Sequence, residues 1–329
     1  VLSASPHNNI PIRLDVRLAR RLADKKARLD HYRPLPPDVV RQLSEDLRLQ
    51  LTYHSNAIEG NTLTLRETRI VLEAGITIGG HPLREHLEAT NHAAAFDYLM
   101  TLTDARNPIT LQTILDLHHI IMSGIDPGAG AFRQRAVYIR GAPLTPPPPD
   151  RVPLLMAEWL DWLDNGGMDY EPLARSALAH HAFEAVHPFV DGNGRVGRLL
   201  LNLLLMQSGY PPALLLRDWR GAYLRAMQQA DMGRYNPLVN LIGRAVEGGL
   251  DLYLEVCATP PSGEYRPMSE LAQGAGYSVN YLGLLARKGQ IEAIKRAGRW
   301  YTTWAAIEQY KHEVAHNPLP SGRPRRNPR

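Results

Sequence analysis

His187-Pro-Phe-Val-Asp191-Gly-Asn-Gly-Arg195-Val-Gly-Arg198 is the stretch from which the rest of the chain is read. Asp191 to Gly194 forms a turn feeding a helix that begins near Arg195. The glycines let backbone come close to a ligand, and the open N–H groups at the helix start make an anion site. Arg195 and Arg198 stand three apart, a spacing that lets both share a helical face and each reach a phosphate oxygen. Asp191, the one carboxylate of the loop, is placed to hold Mg2+ against such phosphates. His187, just before the turn, is able to accept a proton near neutral pH. A base, an anion nest, a metal carboxylate and two guanidiniums within twelve residues point to phosphoryl or nucleotidyl transfer.

Other readings of the same residues fail on context. Gly192-x-Gly194-x-x-Gly197 satisfies the dinucleotide fingerprint, but that motif needs a preceding strand, and EPLARSALAHHAFEAV (171–186) has a helical pattern. Glu184-x-x-His187 has the spacing of half a di-iron site, and no second such pair accompanies it. A Walker-A glycine-lysine loop is absent, which removes a P-loop NTPase. A turn with a solvated arginine face would explain one arginine, not the whole combination.

The motif sits in a chain of 329 residues, a length for two domains or one large one with an appendage. Apolar residues make up 44% and charged residues 21%, the balance of a globular protein. The longest apolar run, Leu199 to Met206, is eight residues and is interrupted by Asn202, too short for a membrane span. The opening VLSASPHNNIPI predicts no signal peptide. A single cysteine, Cys257, excludes an internal disulfide and a cysteine-based zinc site and fits a reducing cytoplasm.

Most segments carry helical periodicity: 13–29, 38–58, 83–103, 110–123, 151–164, 171–186, 195–208, 217–231 and 237–257. Thr64-x-x-Glu67 is a capping box opening a further helix, and Gly60 is a stop for the one before it. RAVYIRGAPL (135–144) alternates around a glycine and predicts a short β-hairpin, closed off by Pro146 to Pro149.

The 187–198 stretch matches every position of the signature His-Pro-Phe-x-(Asp/Glu)-Gly-Asn-Gly-Arg-x-x-Arg. It thereby resembles the Fic-domain family, with the likeness extending over roughly 50–250. The resemblance implies a mainly helical, all-α Fic fold with a short β-hairpin flap. It implies transfer of AMP from ATP to a Ser, Thr or Tyr hydroxyl of a target protein, with release of pyrophosphate. His187 would be the base and Asp191 the Mg2+ ligand, with Gly192, Asn193 and Gly194 cradling the α- and β-phosphates. Arg195 would bind the phosphate chain and Arg198 the γ-phosphate. Val137, Tyr138 and Ile139 would lie in the target-docking flap, and Tyr223 would line a nucleobase pocket. His180 and His181 are expected as supporting core residues.

Ser55-Asn-Ala-Ile-Glu59-Gly60 resembles the family's inhibitory pattern (Ser/Thr)-x-x-x-Glu-(Gly/Asn). Ser55 and Glu59 are i and i+4, neighbours on one helical face. The resemblance pairs Glu59 with Arg198, which would deny Arg198 to the γ-phosphate. As a buried charge pair this would cost on the order of 3–5 kcal/mol to break. In some relatives the same glutamate positions water, so removal of AMP from a modified protein is a second direction.

The expected division is an N-terminal helical region 1–110 with its inhibitory helix at about 38–59, a catalytic core 111–257, a linker 258–267, a winged helix-turn-helix-like α/β domain 268–312, and a basic tail 313–329. Tyr281-Leu-Gly-Leu-Leu-Ala-Arg-Lys-Gly-Gln-Ile291 and Gly298-Arg-Trp-Tyr-Thr302 resemble excisionase-like winged modules. Residues 260–329 carry a net charge of +6, against −2 for 1–259. Arg287, Lys288, Lys295, Arg296 and Arg299 are the candidate DNA contacts, while Trp300 and Trp304 are expected in the core. The alternative function is a DNA-binding regulator that uses the helical core as a nucleotide sensor. Candidate partners are an unidentified target protein, DNA and a second copy of the chain in a homodimer, with no membrane among them.

Overall fold

The computed structural model describes residues 11–35, 37–104, 107–139, 144–257, 265–288, 290–296, 298–304, 306–308 and 310–311. The chain divides into two compact units, Val1–Cys257 and Ala258–Arg329. The first is helical: α1 Val16–His31, α2 Pro37–Glu59, α3 Leu65–Ala74, α4 Leu83–Met100, α5 Leu111–Met122, α6 Val152–Asp164, α7 Pro172–Val186, α8 Asn193–Gln207, α9 Arg220–Asp231 and α10 Asn236–Cys257.

Helix α8 lies between two apolar clusters, which explains its near-continuous run of leucines. Leu199, Leu200, Leu203 and Leu204 join Trp159, Phe183 and Phe189 on one side. Leu201 and Leu205 join Leu18, Leu22, Tyr223 and Ile242 on the other. The motif helix is therefore the fixed centre of the unit. Helices α4 and α5 pack against each other and both touch α8, so no unit boundary falls at 110.

Local signals set the ends of the elements that matter for the site. Both halves of the capping box at Thr64 and Glu67 form. Helix α2 stops at Glu59, where Gly60 turns the chain with φ +107°. Helix α7 ends on His187 in the left-handed region, φ 50° and ψ 61°. Gly192, at φ 81°, turns the chain into α8 and supplies no side-chain cap.

The expected hairpin is not formed by the residues that can be described. Ala136 to Ile139 belong to no strand, and 140–143 lie outside the described residues. A two-stranded hairpin alone is marginal in water, and Tyr138 is 85% exposed.

The second unit has β1 Arg266–Pro267, α11 Met268–Ala275, α12 Val279–Arg287, β2 Ala293–Arg296 and β3 Arg299–Thr302. Its three strands are antiparallel in the order β1-β3-β2, with Ala293 opposite Thr302 and Arg296 opposite Arg299. Two short helices precede the paired strands β2 and β3, and β1 is a short strand that the sequence pattern does not announce. Met268, Leu271, Leu282, Leu285 and Ile307 form its core. Trp300 packs against that core, whereas Trp304 is 43% exposed, its ring lying over Gly274, and is not a core residue. Most of the linker and the basic tail fall outside the described residues. Among the described residues, no helix is long and apolar enough to cross a membrane.

Candidate active site

The end of α2, the end of α7, the start of α8 and the face of α9 meet at a cavity of about 430 Å3. Glu59, Glu184, His187, Gly194, Arg198 and Tyr223 line it, together with Tyr138 and Ile139. Val137 is half-buried and does not line it. His187, Gly194 and Arg198 of the motif thus meet Glu59 and Tyr223 at one cavity, while Asp191, Gly192, Asn193 and Arg195 lie outside its lining.

The turn before α8 is locked by Asn193. Its side chain accepts from the Phe189 N–H and donates to the Phe189 carbonyl, both at 2.9 Å. Asn193 can therefore offer an incoming anion only its backbone N–H. That is enough, because no side chain caps α8 and its first-turn donors and dipole are left for a ligand.

His187 presents one tautomer to the cavity. Its Nδ1 lies 3.3 Å from the Glu184 carbonyl, an atom that can only accept. The proton on Nδ1 leaves the Nε2 lone pair free. Burial holds the imidazole below its ordinary pKa, opposed by the Glu184 carbonyl, so it is neutral at pH 7.

The two α8 arginines meet different neighbours rather than one ligand-facing stripe. Arg195 is 2% exposed and pairs with Glu88 and Asp191, each at 3.3 Å, while its Nε has no hydrogen-bond partner among the described residues. Arg198 donates from Nε to Ser55 Oγ and from Nη2 to the Ser55 carbonyl, both at 3.0 Å. Its Nη2 also meets Glu59 Oε1 at 2.8 Å. Burial works against the Arg198 charge, but Glu59 carries its pKa upward. A Cβ on Gly194 would lie 2.2 Å from Glu59 Oε1, so the carboxylate seats there only because residue 194 has no side chain.

Asp191 is 41% exposed and receives the Gly192 N–H, Arg195 and Arg84. Burial pushes its pKa up, yet Arg195 and these donors hold it below the usual carboxylate value. Four residues that the sequence reading did not assign complete the surroundings. Arg84 and Glu88 on α4 tie Asp191 to Arg195. Arg133 grips the His187 backbone. Glu184 is a buried carboxyl pushed up to about 8 by burial, with Arg198 opposing and Glu59 reinforcing the shift.

His180 bonds the buried Tyr223 hydroxyl at 2.8 Å and His181 bonds Asp231 at 2.9 Å, both supporting contacts. Burial drives His180 and His92 down to about 3, with Arg198 reinforcing both, so these rings beside Arg198 are neutral. Arg287, Lys288 and Arg299 are exposed on α12, at its cap and on β3 of the second unit, and contribute nothing to this cavity.

A profile of the Fic/DOC family matches residues 108–205. The structure is similar to that of Fic-1 from Caenorhabditis elegans, with a TM-score of 0.65 and 33% identity over 72% of each chain. The chain belongs to the Fic/DOC family. A Fic domain containing signaling protein from Bacteroides thetaiotaomicron is also similar, with a TM-score of 0.67 and 26% identity over 73% of this chain and 96% of the other. Among curated proteins, the protein adenylyltransferase fic-1 of Caenorhabditis briggsae is 37% identical over 224 residues, 67% of this chain and 44% of the relative. The Fic chain described here thus spans less than half the length of such curated relatives. The alternative of a DNA-binding regulator finds no support in these matches.

Proposed function

We propose that this Fic protein is an auto-inhibited protein adenylyltransferase that moves AMP from ATP to a Ser, Thr or Tyr hydroxyl of a target protein. The observation that carries the reading is the Glu59–Arg198 ion pair at 2.8 Å, formed beside an uncapped α8 start and a neutral His187. The relatives named as adenylyltransferases support the same chemistry.

In this reading the phosphates of ATP rest on the first-turn N–H groups of α8, and Arg195, buried against Glu88 and Asp191, reaches the chain by turning from those carboxylates. His187 Nε2 takes the proton of the acceptor hydroxyl. The hydroxyl oxygen bonds the α-phosphorus as the bond to the bridging oxygen of the β-phosphate breaks, and pyrophosphate leaves. Asp191 suits Mg2+, being a half-exposed oxygen donor beside the anion site. Among the described residues no group of three or more His, Cys, Asp or Glu forms a metal cage, and Mg2+ prefers one or two carboxylates with phosphate and water oxygens. Bound there, Mg2+ would neutralise phosphate charge, while Arg84 would have to yield its bond to Asp191.

The brake is electrostatic. A guanidinium held by Glu59 and Ser55 cannot also take the γ-phosphate, and the carboxylate repels that phosphate. Its strength is less than the 3–5 kcal/mol of a fully buried pair, because the Glu59 side chain is 41% exposed. Screening by water leaves about 1–2 kcal/mol, which suppresses the rate by roughly tenfold before phosphate repulsion is added.

The direct test is intact-protein mass spectrometry of acceptor proteins incubated with Mg2+ and ATP. Glu59→Gly should add AMP faster than the wild type, and His187→Ala on that background should add none. Equal addition by all three variants would contradict the proposal. Incubating a pre-modified target with wild type and Glu59→Gly reads the reverse direction, removal of AMP.

A further inference from the structure

Arg133 is 2% exposed and has no carboxylate partner among the described residues; burial lowers its pKa. A buried guanidinium without an anion is costly, so its hydrogen bonds must compensate. They run entirely to carbonyl oxygens. Nε donates to His187 at 2.8 Å, Nη2 to Val186 at 3.4 Å and to Pro147 at 2.5 Å, and Nη1 to Arg135 at 3.2 Å. The Arg133 backbone N–H adds a bond to the Pro188 carbonyl at 3.0 Å.

Two of these acceptors are orphan carbonyls at the C-terminus of α7, where a cation also complements the helix dipole. Arg135 and Pro147 are the two feet of the segment that contains Tyr138 and Ile139 at the cavity wall. One planar fork therefore ties three stretches of backbone together. His187 is the one non-glycine residue with positive φ among the described residues, a conformation that persists only when its surroundings over-determine it.

We propose that Arg133 is a positioning residue: by holding His187 in its left-handed conformation and tying that backbone to the Arg135 and Pro147 carbonyls, it sets where the His187 imidazole stands relative to Tyr138 and Ile139 at the cavity wall. The inference rests on the transfer reading given above. Arg133 acts through the His187 backbone and does not touch ATP. Its charge has a second consequence. The Glu184 backbone carbonyl on α7, and the carboxylates of Glu59 on α2 and Asp191 in the loop, favour the His187 imidazolium, whereas burial and Arg133 disfavour it. Removing the cation should raise the His187 pKa, and a lysine should keep it low.

The test compares Arg133→Gln and Arg133→Lys in the Glu59→Gly protein, with thermal melting to establish folding. Because misplacing a base by about 1 Å costs on the order of 100-fold, Arg133→Gln should lower kcat by about 30- to 100-fold. KM for ATP should stay within about twofold, since the α8 anion site is untouched. KM for the acceptor protein should rise, and Arg133→Lys should recover part of kcat. The His187 imidazole, followed by NMR, should titrate at higher pH in the Gln variant and at the parental pH in the Lys variant. If Arg133→Gln does not fold, the Lys variant carries the kinetic test through its loss of kcat at unchanged KM for ATP. Unchanged kcat and acceptor KM in the folded variants would overturn the inference, as would an equal loss in ATP binding. A Glu59→Gly parent that transfers no AMP would instead sink the transfer reading. The NMR titration needs no turnover and judges the Arg133 contact separately.

Discussion

The two ends of the 187–198 motif are held by different physics. At the His187 end, a fully buried guanidinium bonds four carbonyl oxygens and, among the described residues, no carboxylate. At the Arg198 end, the guanidinium is equally buried but its partner Glu59 is 41% exposed, on a different helix. The first arrangement has nothing to exchange with water and fixes the backbone. The second is an ion pair that solvent can reach on one side, so a nucleotide phosphate can compete for it. Permanence belongs to the base and reversibility to the brake.

Removing each side in turn should separate these roles. The largest effect is expected from His187→Ala in the Glu59→Gly protein. Loss of a general base costs about 100- to 10,000-fold, so label transfer should fall to background. Glu59→Gly alone should raise initial rates by about 10- to 100-fold, the pair energy plus the relief of phosphate repulsion. High salt should narrow that gain by raising the wild-type rate, because the half-exposed Glu59–Arg198 pair is open to screening.

Next comes acid stability. His92 and His180, held near 3 by burial, bind protons in the unfolded chain at about 6.5 but not in the folded one. Their contribution is therefore complete above pH 6.5 and is lost as pH falls toward 3. Lowering pH from 7 to 5.5 should withdraw roughly 1 kcal/mol per ring, while Glu184, pushed up to about 8, works in the opposite direction; His92→Gln should therefore lose about 1 kcal/mol less urea-melt stability than the wild type over that drop. The smallest effect is expected for Ser55→Ala, which removes one hydrogen bond to Arg198 Nε and leaves Glu59 in place. Activity should rise by about two- to fivefold.

Much of this geometry was legible in the order of residues. The motif turn, its helix and the Ser55–Glu59 spacing have local signatures, and so does the Thr64–Glu67 cap. Helix boundaries followed because apolar spacing and Gly or Pro stops are read within one segment. The partners of the motif were not legible. Arg84, Glu88 and Arg133 reach it from 54 to 107 positions away, and an isolated charged residue on a helix or loop carries no periodic signal. Glu184 did have one, three residues before His187, but its spacing matched half a di-iron site and was set aside for want of a second half. The alternation at 135–144 marks a segment able to pair, but its turn, 140–143, lies outside the described residues, and Ala136 to Ile139 belong to no strand. The arginines at 195 and 198 share a helical face in the ideal geometry of a bare helix. Glu88 and Glu59, arriving from two other helices, draw them apart.

The most direct measurement is the initial rate of AMP transfer from ATP labelled at the α-phosphate, taken for wild type and Glu59→Gly with the same acceptor and saturating Mg2+. A rate at least about tenfold higher for Glu59→Gly is the predicted result. Equal rates would mean that Arg198 is not withheld from the nucleotide by Glu59, and the electrostatic brake would be contradicted.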